Sequence, residues 1–131
     1  MAQPRLSIVI PAYNEAKRIG DTLIKIHAYL MKQSGLSEIV VVDDGSTDRT
    51  ADAVRKHFPA VQVISYRPNR GKGHAVRTGM LAAKGEIRLF FDADSSTPIE
   101  ELDNVFPHIG NGADVVIGSR YAPGGGVVDW G

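Results

Sequence analysis

Asp92 and Asp94 are the residues best placed for chemistry: they end the apolar run Leu89-Phe90-Phe91 and come just before Ser95-Ser96-Thr97-Pro98. Only Ala93 separates them, so in an extended or tightly turned backbone both carboxylates can lean the same way and share one divalent cation. The small Ala93 leaves room for a ligand beside them. The same stretch also reads as a polar strand end followed by a helix start, because Asp, Ser and Thr ahead of Pro98 are ordinary capping residues. Short motifs match by chance, so the rest of the chain must decide between a metal site and a decorated helix start.

Three other polar clusters offer complementary chemistry. A nucleotide needs a face to stack on, an acceptor for its base N–H groups, cover for its diphosphate and usually a hard cation. Tyr13 can pack against a base, and Asp44 or Glu15 can accept from a pyrimidine or guanine imide N–H or from a ribose hydroxyl. Arg70 and Lys72 lie in a loop whose glycines let the backbone come close, and they can neutralise phosphate oxygens. Each has a plainer reading, as a loop-edge aromatic or a solvated basic turn. Better-known nucleotide motifs are absent: Gly71-Lys72-Gly73-His74-Ala75-Val76 has Val where G-x-G-x-x-G needs its third Gly, and no G-x-x-x-x-G-K-[ST] occurs. His27 and His57 fall among helix residues, where structural or surface roles are the ordinary ones, and His74 follows the basic loop.

These clusters must be positioned by the elements between them. Leu6-Ser7-Ile8-Val9-Ile10 closed by Pro11 reads as a short buried strand, and Ile39-Val40-Val41-Val42 as a strand covered on both faces. Between them Ile19, Leu23, Ile26 and Leu30 recur at helical spacing, which predicts an amphipathic helix from Glu15 to about Gln33. A second helix, capped by Ser46 or Thr47, runs to about His57. Val61-Gln62-Val63-Ile64 predicts a third strand. The loop Asn69-Arg70-Gly71-Lys72-Gly73 then leads into a helix ending near Ala83. A fourth strand covers Ile87 to Phe91, and Pro98 opens a helix containing Ile99, Leu102, Val105, Phe106 and Ile109. Asp114 to Gly118 gives a further strand. Strands alternating with helices across short loops predict an α/β fold, a mostly parallel sheet with helices on both faces. Such sheets bind ligands outside the carboxyl ends of their strands, and all four clusters lie just after a strand, so they should converge on one edge.

Composition narrows the function classes. The chain has 131 residues, 43% of them hydrophobic, which suits one compact domain over residues 1–131. Fifteen basic residues balance fifteen acidic ones without runs, so no nucleic-acid surface or polybasic membrane patch is expected. The lack of cysteine excludes disulfides, thiolate metal sites and a cysteine nucleophile. No apolar run approaches the ~18 residues of a membrane span, and Met1 to Arg5 lacks a signal-like pattern, so the chain as given is expected to be soluble.

The ordered set Ile10-Pro11-Ala12-Tyr13-Asn14-Glu15, Val41-Val42-Asp43-Asp44-Gly45-Ser46-Thr47-Asp48, Asn69-Arg70-Gly71-Lys72-Gly73, Asp92-Ala93-Asp94 and Gly118-Ser119-Arg120-Tyr121 resembles the family 2 inverting glycosyltransferases of GT-A fold. It is most similar to the dolichyl- or polyprenyl-phosphate sugar transferases, and the 70–77 segment to their dolichyl-phosphate β-glucosyltransferase branch. The resemblance implies a Rossmann-like nucleotide-sugar-binding fold. It also implies that Pro11, Tyr13 and Glu15 line the nucleoside pocket and that Asp44 bonds the base, with Asp43, Arg70, Lys72 and Ala93 in the nucleotide-binding set. Asp92 and Asp94 match the family's DXD motif, Asp92 towards ribose and diphosphate and both ligating Mg²⁺ or Mn²⁺. Ser96 stands where some mannosyltransferases have a metal-reaching Gln. Arg120 matches an Arg that approaches the acceptor phosphate. The implied reaction is a single inverting displacement at the anomeric carbon that expels a nucleoside diphosphate. UDP-glucose is the favoured donor, GDP-mannose the alternative, and a polyprenyl phosphate the acceptor. The resemblance covers the family's donor-binding half only, so truncation after about residue 121 is expected, with peripheral membrane association through later elements at the cytoplasmic face of a membrane. The rival readings are a catalytically incomplete nucleotide-sugar-binding module and a transferase that uses a saccharide hydroxyl. A receiver-like signalling domain is disfavoured, because its acid pair belongs after the first strand and here follows the second.

Overall fold

The computed structural model describes residues 4–33, 35–94, 98–105, 115–117 and 127–128. Its strands are β1 (Leu6–Ala12), β2 (Ser37–Asp44), β3 (Gln62–Tyr66), β4 (Ile87–Phe90), β5 (Val115–Ile117) and β6 (Val127–Val128). The helices are α1 (Ile19–Met31), α2 (Thr50–His57), α3 (Lys72–Ala82) and α4 (Leu102–Val105), the last continuing from a 3-10 turn at Ile99–Glu101. They build one sheet of order β3-β2-β1-β4-β5-β6, parallel from β3 to β5 with β6 antiparallel at its edge. The expected α/β fold with a mostly parallel sheet is the observed one, and β6 is an addition that no sequence pattern announced.

Alternation along the strands divides the core into two layers. Leu6, Ile8, Ile10 and Ala12 of β1 join Ile39, Val41 and Leu89 beneath α1, where Ile19, Leu23 and Ile26 are buried. Val9, Val40, Val42 and Phe90 face the other way, onto Ala75, Val76 and Met80 of α3. Both faces are therefore covered, which is why β1 and β2 read as continuous apolar runs. α3 lies close on the sheet because Gly79 has no side chain: a Cβ there would stand 2.3 Å from Cγ1 of Val9 and 3.0 Å from Cγ2 of Val42.

Several helix boundaries depart from the sequence reading. α1 begins at Ile19, not Glu15; ahead of it Asn14 sits at φ 54°, and the N–H groups of Asn14, Glu15 and Ala16 bond to the side chains of Ser46, Thr50 and Asp48. α2 begins at Thr50, and neither Ser46 nor Thr47 caps it, since both hydroxyls serve Asn14. α3 begins at Lys72, so Lys72 and Gly73 are helical where a loop was expected. Gly71, at φ 99°, makes the break just before them. After Pro98 the chain forms a 3-10 turn and a short helix, and the expected continuation through Phe106 and Ile109 lies outside the described residues. Beyond β1 the strand order reverses, with β2 on one side and β4 on the other. That switch point is where an open α/β sheet leaves a crevice at its carboxyl edge.

Candidate nucleotide-binding site

A cleft occupies that crevice, lined by Pro11, Ala12, Tyr13, Glu15, Asp44, Lys72, Ala75, Asp92, Ala93 and Asp94. Residues from the ends of β1, β2 and β4 and from the start of α3 thus meet, as the sequence pattern predicted. Residues outside the lining, together with Asp44 and the Glu15 backbone, hold the cleft in shape.

The β1–α1 loop is stitched to the β2–α2 loop. Asn14 sits at φ 54°, a left-handed conformation that Asn tolerates. Its N–H donates to Ser46 Oγ at 2.9 Å, while its Oδ1 accepts from the N–H groups of Thr47 at 2.8 Å and Asp48 at 3.2 Å. Glu15 N–H donates to Thr50 Oγ1 at 3.1 Å and Ala16 N–H to Asp48 Oδ2 at 3.2 Å. Burial pushes the Asp48 carboxyl up, but the hydroxyl of Thr50 and the N–H groups of Ala16 and Thr50 outweigh it and hold the group below the usual aspartate range. These bonds fix Tyr13, 45% exposed, and Glu15 at the rim. Glu15 is one of the cleft-lining residues; its Oε1 is paired with Arg18, whereas its Oε2 is buried and has no hydrogen-bond partner among the described residues. A buried acceptor without a donor is costly unless a ligand supplies one.

Asp43 and Asp44 divide the work. Asp43 accepts from Ser46 N–H at 3.0 Å and from the hydroxyl of Ser65 at 3.3 Å, so it braces the turn and is not among the cleft-lining residues. Asp44, 4% exposed, lines the cleft and anchors the neighbouring loop. Its Oδ1 accepts from the Tyr66 hydroxyl at 2.6 Å and from Arg70 N–H at 2.8 Å, and its Oδ2 from Gly71 N–H at 3.0 Å. Burial, and then the bond to Asp44, push the Tyr66 phenol well above its usual range, so it stays a donor. Gly45, at φ 71°, lets the 68–69 backbone cross directly above: a Cβ would stand 2.3 Å from the Asn69 nitrogen. The Arg70 guanidinium lies 5.7 Å from the Tyr66 ring centroid and outside the cleft lining, while the His74 ring meets Tyr66 edge-on at 5.3 Å. Nothing in the residue pattern had singled out Tyr66. Its register opposite Asp44 on β3 was the only available signal, and it needs the strand pairing.

The acid pair sits at the end of β4. Phe91 N–H donates to Val9 O at 2.9 Å, which carries the chain past the strand, and the buried Thr22 hydroxyl donates to Ala93 O at 2.5 Å, tying the turn to α1. Lys72 Nζ lies 2.6 Å from Asp92 Oδ1 and Arg18 Nη1 4.0 Å from Asp94 Oδ2. Asp92 also faces a second cavity, between α1 and the 3-10 turn, with Lys25, Phe91 and Ile99 in its lining. Among the described residues no three acidic or imidazole groups form a closed metal cage. Two hard carboxylates beside an open cleft nevertheless suit Mg²⁺ or Mn²⁺, whose usual protein share is one or two carboxylates, with phosphate oxygens and water completing the shell. Arg120 and Ser96 lie outside the described residues.

Comparison with known proteins agrees with this geometry. Residues 7–131 match the family model described as glycosyl transferase family 2. A dolichyl-phosphate beta-glucosyltransferase of Trichomonas vaginalis is 38% identical over 127 residues, which cover 87% of this chain and 38% of that protein. A dolichol-phosphate mannosyltransferase of Pyrococcus furiosus is 38% identical over 130 residues, 96% of this chain and 36% of that protein. The chain thus spans little more than a third of the length of these relatives. Among solved structures, a mannosyltransferase of Pyrobaculum calidifontis in complex with GDP-Man and Mn²⁺ is similar with a TM-score of 0.65 and 36% identity, over 81% of this chain and 32% of that one. A glucosyl-3-phosphoglycerate synthase of Mycobacterium tuberculosis in complex with Mn²⁺, UDP and glucosyl-3-phosphoglycerate has a TM-score of 0.56 and 30% identity, over 69% and 33%. The α/β fold is that of GT-A glycosyltransferases, and the chain belongs to glycosyltransferase family 2.

Proposed function

We propose that residues 1–131 form the donor-binding domain of a metal-dependent inverting glycosyltransferase that moves a sugar, glucose by preference, from a nucleotide sugar to a polyprenyl or dolichyl phosphate. The observation that carries this reading is the single cleft joining an exposed Tyr13, Glu15, Asp44, Lys72 and the Asp92–Asp94 pair. Tyr13 stacks the base, the Glu15 carboxylate accepts from a ribose hydroxyl, and Lys72 with the first-turn N–H groups of α3 covers the diphosphate. Asp92 and Asp94 hold the divalent cation, which stabilises charge on the departing diphosphate.

Asp44 supports UDP as the nucleotide. A carboxylate has about four acceptor positions, and Tyr66, Arg70 and Gly71 take all but one of them, leaving a position on Oδ2. One acceptor suits the lone imide N–H of uracil, whereas guanine presents its N1–H and amino group side by side and asks for two. The curated relative named as a β-glucosyltransferase supports glucose, and the mannosyltransferase structure with GDP-Man keeps GDP-mannose as the alternative. An ionised lipid phosphate is already a nucleophile and needs little general-base help. In the whole protein Arg120 approaches that phosphate, at the cytoplasmic face of a membrane. No helix among the described residues is long and apolar enough to cross one.

Calorimetric titration with UDP-glucose and GDP-mannose, each with and without Mn²⁺, tests the donor and the metal together. UDP-glucose binding that strengthens with Mn²⁺ is expected, and a chain that binds neither donor under any condition refutes the proposal. Donor binding without transfer to a polyprenyl phosphate in a product assay would favour the binding-module reading.

A further inference from the structure

Lys72 is the first residue of α3, and its position follows from bonds already described: Asp44 holds the N–H groups of Arg70 and Gly71, and Gly71 turns the chain into the helix. From there the side chain reaches over the cleft to Asp92. Its ammonium lies 2.6 Å from Asp92 Oδ1 and 5.7 Å from the Phe90 ring centroid, while Arg18 stands 4.0 Å from Asp94. The acid pair is thus met by protein cations from two sides. A divalent ion on Asp92 would lie within a few ångströms of the ammonium, and the two positive charges repel strongly in a partly desolvated cleft. The Lys72 side chain is 53% exposed and carries its charge on a flexible four-carbon stem, so it can leave.

We infer that Lys72 is a placeholder cation: it occupies Asp92 until a metal–nucleotide complex arrives, then transfers to the diphosphate, and so makes metal and nucleotide binding cooperative. This rests on the donor-site reading above. Metal alone must displace the ammonium with no new anion to receive it, so it binds weakly. A nucleoside diphosphate brings that anion, draws Lys72 away from Asp92 and so yields the position at Oδ1 to the metal. By linkage, the metal strengthens nucleotide binding by the same factor. The lysine therefore opposes one ligand and favours the other, which a merely structural ion pair would not do.

The test measures Mn²⁺ affinity by electron paramagnetic resonance, with and without UDP, for the wild-type chain and for Lys72→Met and Lys72→Arg. Lys72→Met should bind Mn²⁺ alone about tenfold more tightly than wild type and UDP with Mn²⁺ about tenfold less tightly, a coupling change of the size usual between two sites. Lys72→Arg, which keeps the charge, should stay within about threefold of wild type for Mn²⁺ alone. Mn²⁺ affinity that is unchanged, weaker or undetectable in Lys72→Met overturns the placeholder role. A wild-type chain that binds no UDP even with Mn²⁺ would instead defeat the donor-site reading, and the Mn²⁺-only comparison would still decide whether Lys72 competes for Asp92.

Discussion

Replacing Asp44 by Asn alters one atom of the cleft and separates anchoring from base recognition. The amide can keep its oxygen towards Tyr66 and Arg70 and must turn its NH₂ towards Gly71, where wild type accepts at 3.0 Å. Two charge-assisted bonds become neutral ones, and the third becomes a donor facing a donor. Arg70 and Gly71 are exposed, so water replaces part of what is lost, and the expected destabilisation is about 1–3 kcal/mol. The same NH₂ stands where Oδ2 would accept the uracil N–H, which costs UDP a further ~1–3 kcal/mol, or roughly 5- to 150-fold in affinity. Urea unfolding gives the first quantity and calorimetric titration with UDP at saturating Mn²⁺ the second, with Tyr66→Phe as a control that loosens the anchor but leaves the Oδ2 acceptor. A variant that binds UDP within twofold of wild type would show that Asp44 does not meet the base.

Asp94→Asn should abolish Mn²⁺-dependent donor binding while circular dichroism and the urea midpoint stay near wild type, and retained Mn²⁺ dependence would remove Asp94 from the metal site. Gly45→Ala should be more damaging than Gly71→Ala: both sit at positive φ, which costs a side chain about 1–3 kcal/mol, but only Gly45 also has backbone within 2.3 Å of the new Cβ. Comparable unfolding midpoints for the two variants would contradict that crossing. Asp48, whose folded pKa is depressed, contributes stability that is fully present above its unfolded pKa of 3.8 and is lost as pH falls through the lower folded value. The stability gap between wild type and Asp48→Asn, followed by urea unfolding, should therefore be constant near neutrality and shrink below about pH 4. A gap that does not change with pH would show that the bonds to Thr50 and Ala16 do not stabilise the charged form.

The sequence by itself determined the fold class and the edge of the sheet at which the polar clusters meet. The β-branched runs at 6–10 and 39–42, alternating with helical spacing at Ile19, Leu23, Ile26 and Leu30, specify a covered parallel sheet, because each period buries a face only in that element. Placing Tyr13, Asp44, Lys72 and Asp92 just after strands or at a helix start made their convergence readable without coordinates. What each carboxylate does there was decided by tertiary structure. Asp43 and Asp44 are neighbours in sequence, yet one braces a turn and the other lines the cleft, because successive residues of a strand point to opposite faces and meet different partners. Ser46 looks like a cap for a helix, yet its hydroxyl, like that of Thr50, serves an N–H group more than thirty residues earlier. Tyr66 became visible only through its pairing opposite Asp44, and the Lys72–Asp92 contact only when α3 was set against β4. Periodicity and motif order report local conformation and burial, whereas hydrogen-bond partners and ion pairs across the cleft depend on how strands register and how closely helices pack.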